Sequence, residues 1–256
     1  MGAINAKMEN VEGVYKQIIK EIREYFQKNN VKKAVIGLSG GIDSSLSAKL
    51  VADAIGKENV HGILMPVKGL SSDENIRDAV DLCRLIGMSH SVIYINEFTK
   101  NFDNLEWQSK IAKMNTSSRI RAVILYHYAN THNAMVVGTS NKTEIMLGYF
   151  TKYGDGAVDI EVIGSLFKTD ELDLARFLKI PEKIISKIPT AELYRGQTDE
   201  EDLGASYAEI DGILGKIEKK QKLPESKLAK KIMKRMKDNE HKRNVPPVMG
   251  ISGKCS

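Results

Sequence analysis

Gly37-Leu38-Ser39-Gly40-Gly41-Ile42-Asp43-Ser44-Ser45 is the stretch that decides how this chain folds. It completes a short apolar run, Ala34-Val35-Ile36-Gly37-Leu38, with the composition of a strand buried on both faces. It then enters a helical pattern that runs to about Ile55. Two adjacent glycines let backbone approach an anion closely, and the first amides of the helix point free N–H groups at it. Ser39, Ser44 and Ser45 add hydroxyl donors. Asp43 would repel phosphate unless a cation stood between them, which points to Mg²⁺ bridging the two. No lysine follows Gly41, so a Walker A loop is excluded, and the Gly-x-Gly-x-x-Gly dinucleotide fingerprint is missing. The plainer alternative is a turn whose Asp and Ser only cap a helix. Ser-Gly-Gly-x-Asp-Ser between strand and helix favours the phosphate loop.

Outward from this loop, strands and helices alternate. Val11, Val14, Ile18, Ile19, Ile22, Tyr25 and Phe26 predict an amphipathic helix closed by Asn29-Asn30. Val60–Val67 reads as a second strand, and Ser71 with Glu74 has capping-box spacing at the head of a helix through Ala79, Leu82, Cys83 and Ile86. Ser91–Ile95 predicts a third strand, Trp107–His132 one long helix, and Ala134–Val137 a fourth strand ended by Gly138-Thr139-Ser140. This order implies an α/β fold, a doubly wound parallel sheet with flanking helices and right-handed crossovers. The chain is read as a single domain, 1–256, with an α/β core over about 10–190 and a lid and helical segment over about 191–256. The polar, acidic stretch Tyr194–Gly204 predicts a mobile loop. Further on, Pro224 is placed as a first-turn proline, and Leu228, Ile232 and Met236 share one helix face. The lysines between them fall on the solvated face. Without aromatic stacking residues they do not suggest a nucleic-acid partner.

Composition sets the outer bounds. The 256 residues are 42% apolar and 28% charged, which excludes collagen-like, low-complexity and disordered chains. The net charge of +5 suits anionic small molecules as readily as nucleic acid. Two cysteines, Cys83 and Cys255, supply neither a disulfide framework nor a four-cysteine zinc site. Cys83 reads as core and Cys255 as a frayed terminal thiol. No apolar run is long enough to span a membrane, Met1 to Asn10 lacks a signal peptide's apolar stretch, and Ala6 breaks the myristoylation pattern that Met1-Gly2 begins. A cytoplasmic protein is expected.

The loop resembles that of the ATP pyrophosphatase superfamily, whose members hold the β- and γ-phosphates as a unit and transfer AMP. Further motifs extend the likeness: Gly138-Thr139-Ser140-Asn141-Lys142-Thr143-Glu144, then Gly148 to Gly156, Asp159, Thr198-Asp199-Glu200-Glu201-Asp202-Leu203-Gly204 with Ser206-Tyr207, and Glu240-His241-Lys242-Arg243. Together, from Gly37 to Pro247, these look like the ammonia-dependent NAD synthetases. The resemblance implies adenylation of the nicotinate carboxylate of deamido-NAD by ATP, then displacement of AMP by ammonia. It implies ATP contacts at Gly37, Leu38, Ser39, Gly40, Gly41, Ile42, Asp43, Ser44, Thr139, Lys168 and Thr190, and Mg²⁺ ligation by Asp43 and Glu144. Asp43 and Lys168 become the catalytic pair. Arg119, Lys152, Asp159, His241 and Lys242 would take deamido-NAD at a homodimer interface formed largely by the long helix near Arg119. Tyr194–Gly204 and His241–Pro247 would form the lid, with Asp199 a candidate base for ammonium.

Each residue also has a plainer reading. Glu144 serves equally as an acid near a helix N-terminus, Lys168 as a solvated cation, and Thr190 as a cap for Ala191-Glu192-Leu193. Arg119 reads as a helix-surface ion pair, His241-Lys242 as a basic tail, and Asp199 as an exposed loop acid. The rival function is another adenylating enzyme of the superfamily, acting on RNA or a different carboxylate. Sulfur-transferring members generally need cysteines that this chain lacks. Ser140-Asn141-Lys142 departs from common bacterial versions, and the lysines over 216–237 have no assigned role.

Overall fold

A computed structural model of the chain describes Met8, residues 10–190, Tyr194 and residues 196–249. Helix α1 (Val11–Lys28) starts where the Asn10 side chain accepts a hydrogen bond from Gly13 N, and it buries Ile18, Ile19, Ile22 and Phe26. Strand β1 (Lys33–Leu38) and helix α2 (Ile42–Ile55) flank the phosphate loop. They are followed by β2 (Val60–Leu64), α3 (Asp73–Ile86), β3 (Ser89–Val92), the one-turn α4 (Asn96–Thr99) and α5 (Lys110–His132). Next come β4 (Ala134–Gly138), α6 (Lys142–Leu147), β5 (Ile160–Glu161), α7 (Lys168–Phe177) and α8 (Glu182–Ile185). The C-terminal part carries α9 (Asp199–Leu203), α10 (Tyr207–Glu218), α11 (Lys227–Asp238) and α12 (Glu240–Arg243).

The sheet runs β3-β2-β1-β4-β5 and all its pairings are parallel. Ala34 on β1 stands opposite Val60 on one side and Met135 on the other. Strands fill one side of β1 first, and the chain then crosses back to lay β4 on the other side. The order therefore reverses between β1 and β4, and a crevice opens at the carboxyl ends of those two strands. The phosphate loop leaves β1 there, and α6 leaves β4 there.

Apolar side chains of α1, α2 and α3 cover one face of the sheet and those of α5 the other. Cys83 is fully buried in the first of these layers, as its place in the helical pattern suggests. A third cluster joins Leu147 to α10 and α11, with Leu228, Ile232 and Met236 facing it as expected.

Several boundaries differ from the sequence reading. Ser72, not Ser71, caps α3, accepting from Asn75 N; the Ser71 hydroxyl instead accepts from Val67 N and fixes the preceding turn. β2 stops at Leu64 and β3 begins at Ser89, because His61–Leu64 pair with Ser89–Val92. The long helix starts at Lys110 behind a Ser109 cap, and Pro224 lies outside α11, whose cap is Ser226. β5 carries no strand-length signal because only two residues pair. The stretch 194–204 holds the helix α9, capped by Thr198 and ended by Gly204 in the left-handed region. Ala191-Glu192-Leu193, Cys255 and the first seven residues lie outside the described part. Among the described residues no helix is long and apolar enough to cross a membrane.

Candidate active site

The turn from β1 to α2 is built for close approach. Gly40 takes φ +83°, and a Cβ there would stand 2.3 Å from the Asn75 carbonyl oxygen. Gly41 heads α2 with no side-chain cap, so the helix's first amides keep their donors for something else. The Ser44 and Ser45 hydroxyls donate to the Gly41 carbonyl at 3.2 and 2.7 Å, and the Ser39 and Ser44 hydroxyls lie 3.2 Å apart. The result is a small basin rimmed by hydroxyls and backbone N–H groups.

Asp43 projects from the first turn of α2 into a nest of partners drawn from distant sequence. The Lys168 ammonium, 5% exposed at the start of α7, donates to Asp43 Oδ2. Lys168 also pairs with Glu171 at 3.1 Å, one turn further along α7. Asn141 Nδ2 donates to Asp43 Oδ1 at 2.9 Å. Asn141 is itself fully buried and caps α6: its Oδ1 accepts from Glu144 N, while Glu144 Oε2 accepts from Asn141 N at 3.2 Å. The reciprocal cap fixes the α6 acid that follows β4, next to the aspartate that follows β1.

Charge is crowded here. Burial works to raise the Asp43 carboxyl, but the Lys168 ammonium outweighs it and holds it below the ordinary value. Burial and the Asp43 charge push Glu144 well above its ordinary value, and the same two causes act on Glu171. Lys168 is held firmly protonated: burial opposes its charge, but Asp43, Glu171 and Glu144 outweigh burial. One lysine among these carboxyls leaves a surplus of hard oxygen donors, which suits a divalent cation such as Mg²⁺. Among the described residues no group of three metal-binding side chains is assembled. That also fits Mg²⁺, which is usually bound through one or two carboxylates plus substrate phosphates and water.

The cleft beside the loop has a volume of about 590 Å³, and its walls include Ser39, Gly41, Asp43, Thr139, Glu144 and Thr190. Lys242 reaches it from α12, donating to the Gly148 and Phe150 carbonyls at 2.8 and 2.9 Å. Arg119 on α5 bonds the Lys152 carbonyl at 3.3 Å, and the Lys152 ammonium donates to the His241 carbonyl. The structure thus gathers Arg119, Lys152, His241 and Lys242 around one loop, with α12 folded onto it. Asp159 stands apart: its carboxylate accepts from Tyr126 OH at 3.1 Å and Val136 N at 2.7 Å, beside a smaller cavity of about 310 Å³ that Lys242 also borders.

Asp199 is not an exposed loop acid. It is 5% exposed, and it accepts from Tyr207 OH at 3.0 Å and Tyr149 OH at 3.3 Å, which ties α9 down beside the cleft. Sequence reasoning missed Asn141 and Glu171 as parts of this centre. Asn141-x-x-Glu144 does carry capping-box spacing, with Asn in place of Ser or Thr, and could have been found. Glu171 offers no signal, because its meaning depends on α7 lying across the loop.

A sequence profile described as NAD synthase matches residues 14–246. The chain belongs to the NAD synthase family. The NH(3)-dependent NAD(+) synthetase of Archaeoglobus fulgidus is 42% identical over 243 residues, which are 94% of this chain and 98% of that protein. Its namesake from Fusobacterium nucleatum is 40% identical over 251 residues, 94% of this chain and 97% of that one. Among solved structures, the NH3-dependent NAD synthetase of Campylobacter jejuni superposes with a TM-score of 0.82 at 32% identity, covering 95% of this chain and all of that one. The NMN synthetase of Francisella tularensis superposes with a TM-score of 0.86 at 30% identity, over 94% and 99% of the two chains. As a member of the NAD synthase family the chain is an enzyme, a ligase that uses ATP as co-substrate. The parallel sheet expected from the phosphate loop is the fold of these NAD synthetase structures.

Proposed function

We propose that the chain amidates deamido-NAD to NAD with ATP and ammonia, through an acyl adenylate, releasing AMP and pyrophosphate. The observation that carries this reading is Asp43, held by Lys168 and Asn141 at the uncapped head of α2, in the crevice where strand order reverses. The basin of Ser39, Gly41 and Ser44 takes the β- and γ-phosphates, with Gly37, Leu38, Gly40 and Ile42 shaping the turn. Thr139 and Thr190, which both line the cleft, contact ATP. Asp43 and Glu144 hold Mg²⁺, which supplies charge neutralisation to the phosphates. Lys168 stabilises the negative charge that grows on departing pyrophosphate, a contribution of a few kcal/mol for a well-placed donor.

Deamido-NAD is polyanionic, and the cations Arg119, Lys152 and Lys242, with the His241 imidazole beside them, suit it. Asp159 accepts from a ribose hydroxyl with lone pairs that Tyr126 and Val136 leave over. Ile111 and Val123, exposed at 69% and 64% on α5, support burial of that helix in a homodimer that completes this site. Residues 194–204, with 241–247, act as the lid that keeps water from the adenylate. Asp199, tied to two tyrosine hydroxyls, holds the lid closed rather than serving as a free base.

The test is AMP release from Mg²⁺-ATP and ammonium, with and without deamido-NAD, read beside NAD formation. AMP that depends on deamido-NAD and matches NAD supports the reading. Nicotinate mononucleotide is the control acceptor, given the likeness to the NMN synthetase. RNA-dependent AMP without NAD would move the chain to the rival function.

A further inference from the structure

The geometry points to Lys187 as a positioning residue for the pyrophosphate basin: its ammonium locks the Gly40–Gly41 peptide with the Gly41 N–H turned toward the anion. This rests on reading the 39–45 turn as that basin. Lys187 lies on the segment between α8 and Thr190 and reaches across to α3. Three acceptors surround its Nζ: the Gly40 carbonyl oxygen at 3.0 Å, Asn75 Oδ1 at 2.6 Å and Asp78 Oδ2 at 2.5 Å. Two of its three protons are committed to the Gly40 carbonyl and Asn75 Oδ1, and the Asp78 carboxylate beside it is an ion-pair partner that anchors the ammonium on the loop's side of the cleft. Although Lys187 borders the cleft, its two hydrogen bonds run to the loop and to α3, so its role is assigned through the loop.

The consequence follows from peptide geometry. The described peptides include no cis bond, so a carbonyl aimed at Lys187 sends the next N–H the opposite way. That N–H, on Gly41, meets Ser39 Oγ at 3.3 Å, a long contact that a phosphate oxygen can replace. Gly41 borders the cleft. Glycine makes the turn possible at Gly40, yet the same freedom lets the peptide rotate to present its carbonyl to the anion instead. A carbonyl there repels phosphate where an N–H binds it. Lys187 removes the choice, and Asp78, 3% exposed and paired also with Lys183 at 2.6 Å, holds Lys187 in place.

The experiment measures competition of inorganic pyrophosphate with ATP, the KM of each substrate and the melting temperature, for wild type, Lys187→Met, Lys187→Gln and Lys187→Arg. Losing one well-aimed N–H to a charged phosphate weakens pyrophosphate binding by about tenfold or more. The expected pattern is that loss in Lys187→Met, shared by the KM for ATP, with the KM for deamido-NAD unmoved. Gln, which can still donate to the Gly40 carbonyl, recovers part of it. Lys187→Arg keeps Asp78 paired but seats a larger planar head, and it is expected to behave like Met; it is the variant read if Met does not fold. Folded Met and Arg variants with pyrophosphate affinity within twofold of wild type overturn the inference. So does equal weakening of ATP, pyrophosphate and deamido-NAD, which marks a merely structural lysine. Wild type whose ATP is not competed by pyrophosphate overturns the reading of the basin beneath it.

Discussion

Asn141→Ala probes the joint between the two halves of the site. The substitution removes two bonds from a fully buried side chain: the α6 cap to Glu144 N at 2.9 Å and the donor to Asp43 Oδ1 at 2.9 Å. An N-cap of this kind contributes about 1 kcal/mol. A buried hydrogen bond to a carboxylate contributes about 1.5–3 kcal/mol, with the cost of the unsatisfied partner included. The two together predict a loss of about 2.5–4 kcal/mol, and roughly 5–15 °C in melting temperature for a domain of this size. Urea unfolding at pH 7 measures it. Asn141→Ser separates the two contributions, because serine caps α6 but is too short to reach Asp43, so it should recover about 1 kcal/mol. Asp43 is held below its ordinary value in the fold, so its contribution is present above that value and fades as pH falls through the folded one. The gap between wild type and Ala should therefore narrow in acid. An alanine variant within 1 kcal/mol of wild type, or a serine variant equal to it, refutes the claim that Asn141 joins α6 to Asp43.

Three further outcomes are expected. Lys168→Met, isosteric but neutral, should lower kcat for AMP formation by about 10²–10³-fold, read by single-turnover release of AMP. Glu144→Gln keeps the reciprocal cap with Asn141 but loses a charge, so the Mg²⁺ concentration for half-maximal rate should rise about tenfold while the melting temperature holds or rises. Burial lifts the Glu161 carboxyl to about 7 from an ordinary 4.5, so the folded protein binds this proton more tightly and stability falls as pH rises across that interval. Glu161→Gln should accordingly raise the melting temperature at pH 8 and change it little at pH 5; an equal change at both pH values counts against a buried, proton-holding carboxyl.

Local chemistry made the fold legible. Ala34–Leu38 is apolar throughout because a central parallel strand has no polar face, and Gly40-Gly41 marks a turn that only small residues make. Boundaries were less legible where adjacent residues compete for one task. Ser71 and Ser72 are both plausible caps, and only the turn after Val67 decides that Ser71 is already engaged. The strand β5 could not be read, since its two paired residues carry no periodicity. At the site, Asp43 was visible because it follows a strand and two glycines, whereas Glu144 after β4 reads equally as a helix-terminal acid and was picked out by the family resemblance. Glu171 and Lys187 were not, because a buried acid and a surface-patterned lysine acquire meaning only from α7 and α8 packing across the loop.

The reversal of strand order also dictates when this protein can begin to work during its own synthesis. Asn141 meets Asp43 across 98 residues of chain, and Lys168 meets it across 125. A nascent chain that has emerged only through α5 carries the whole phosphate loop, yet one edge of β1 is bare until β4 arrives. Until then the loop has neither its second carboxylate nor its lysine, and an unpaired central strand invites pairing with other chains. Nucleotide affinity should therefore switch on late in translation, after a long interval in which one edge of β1 stays open to pairing.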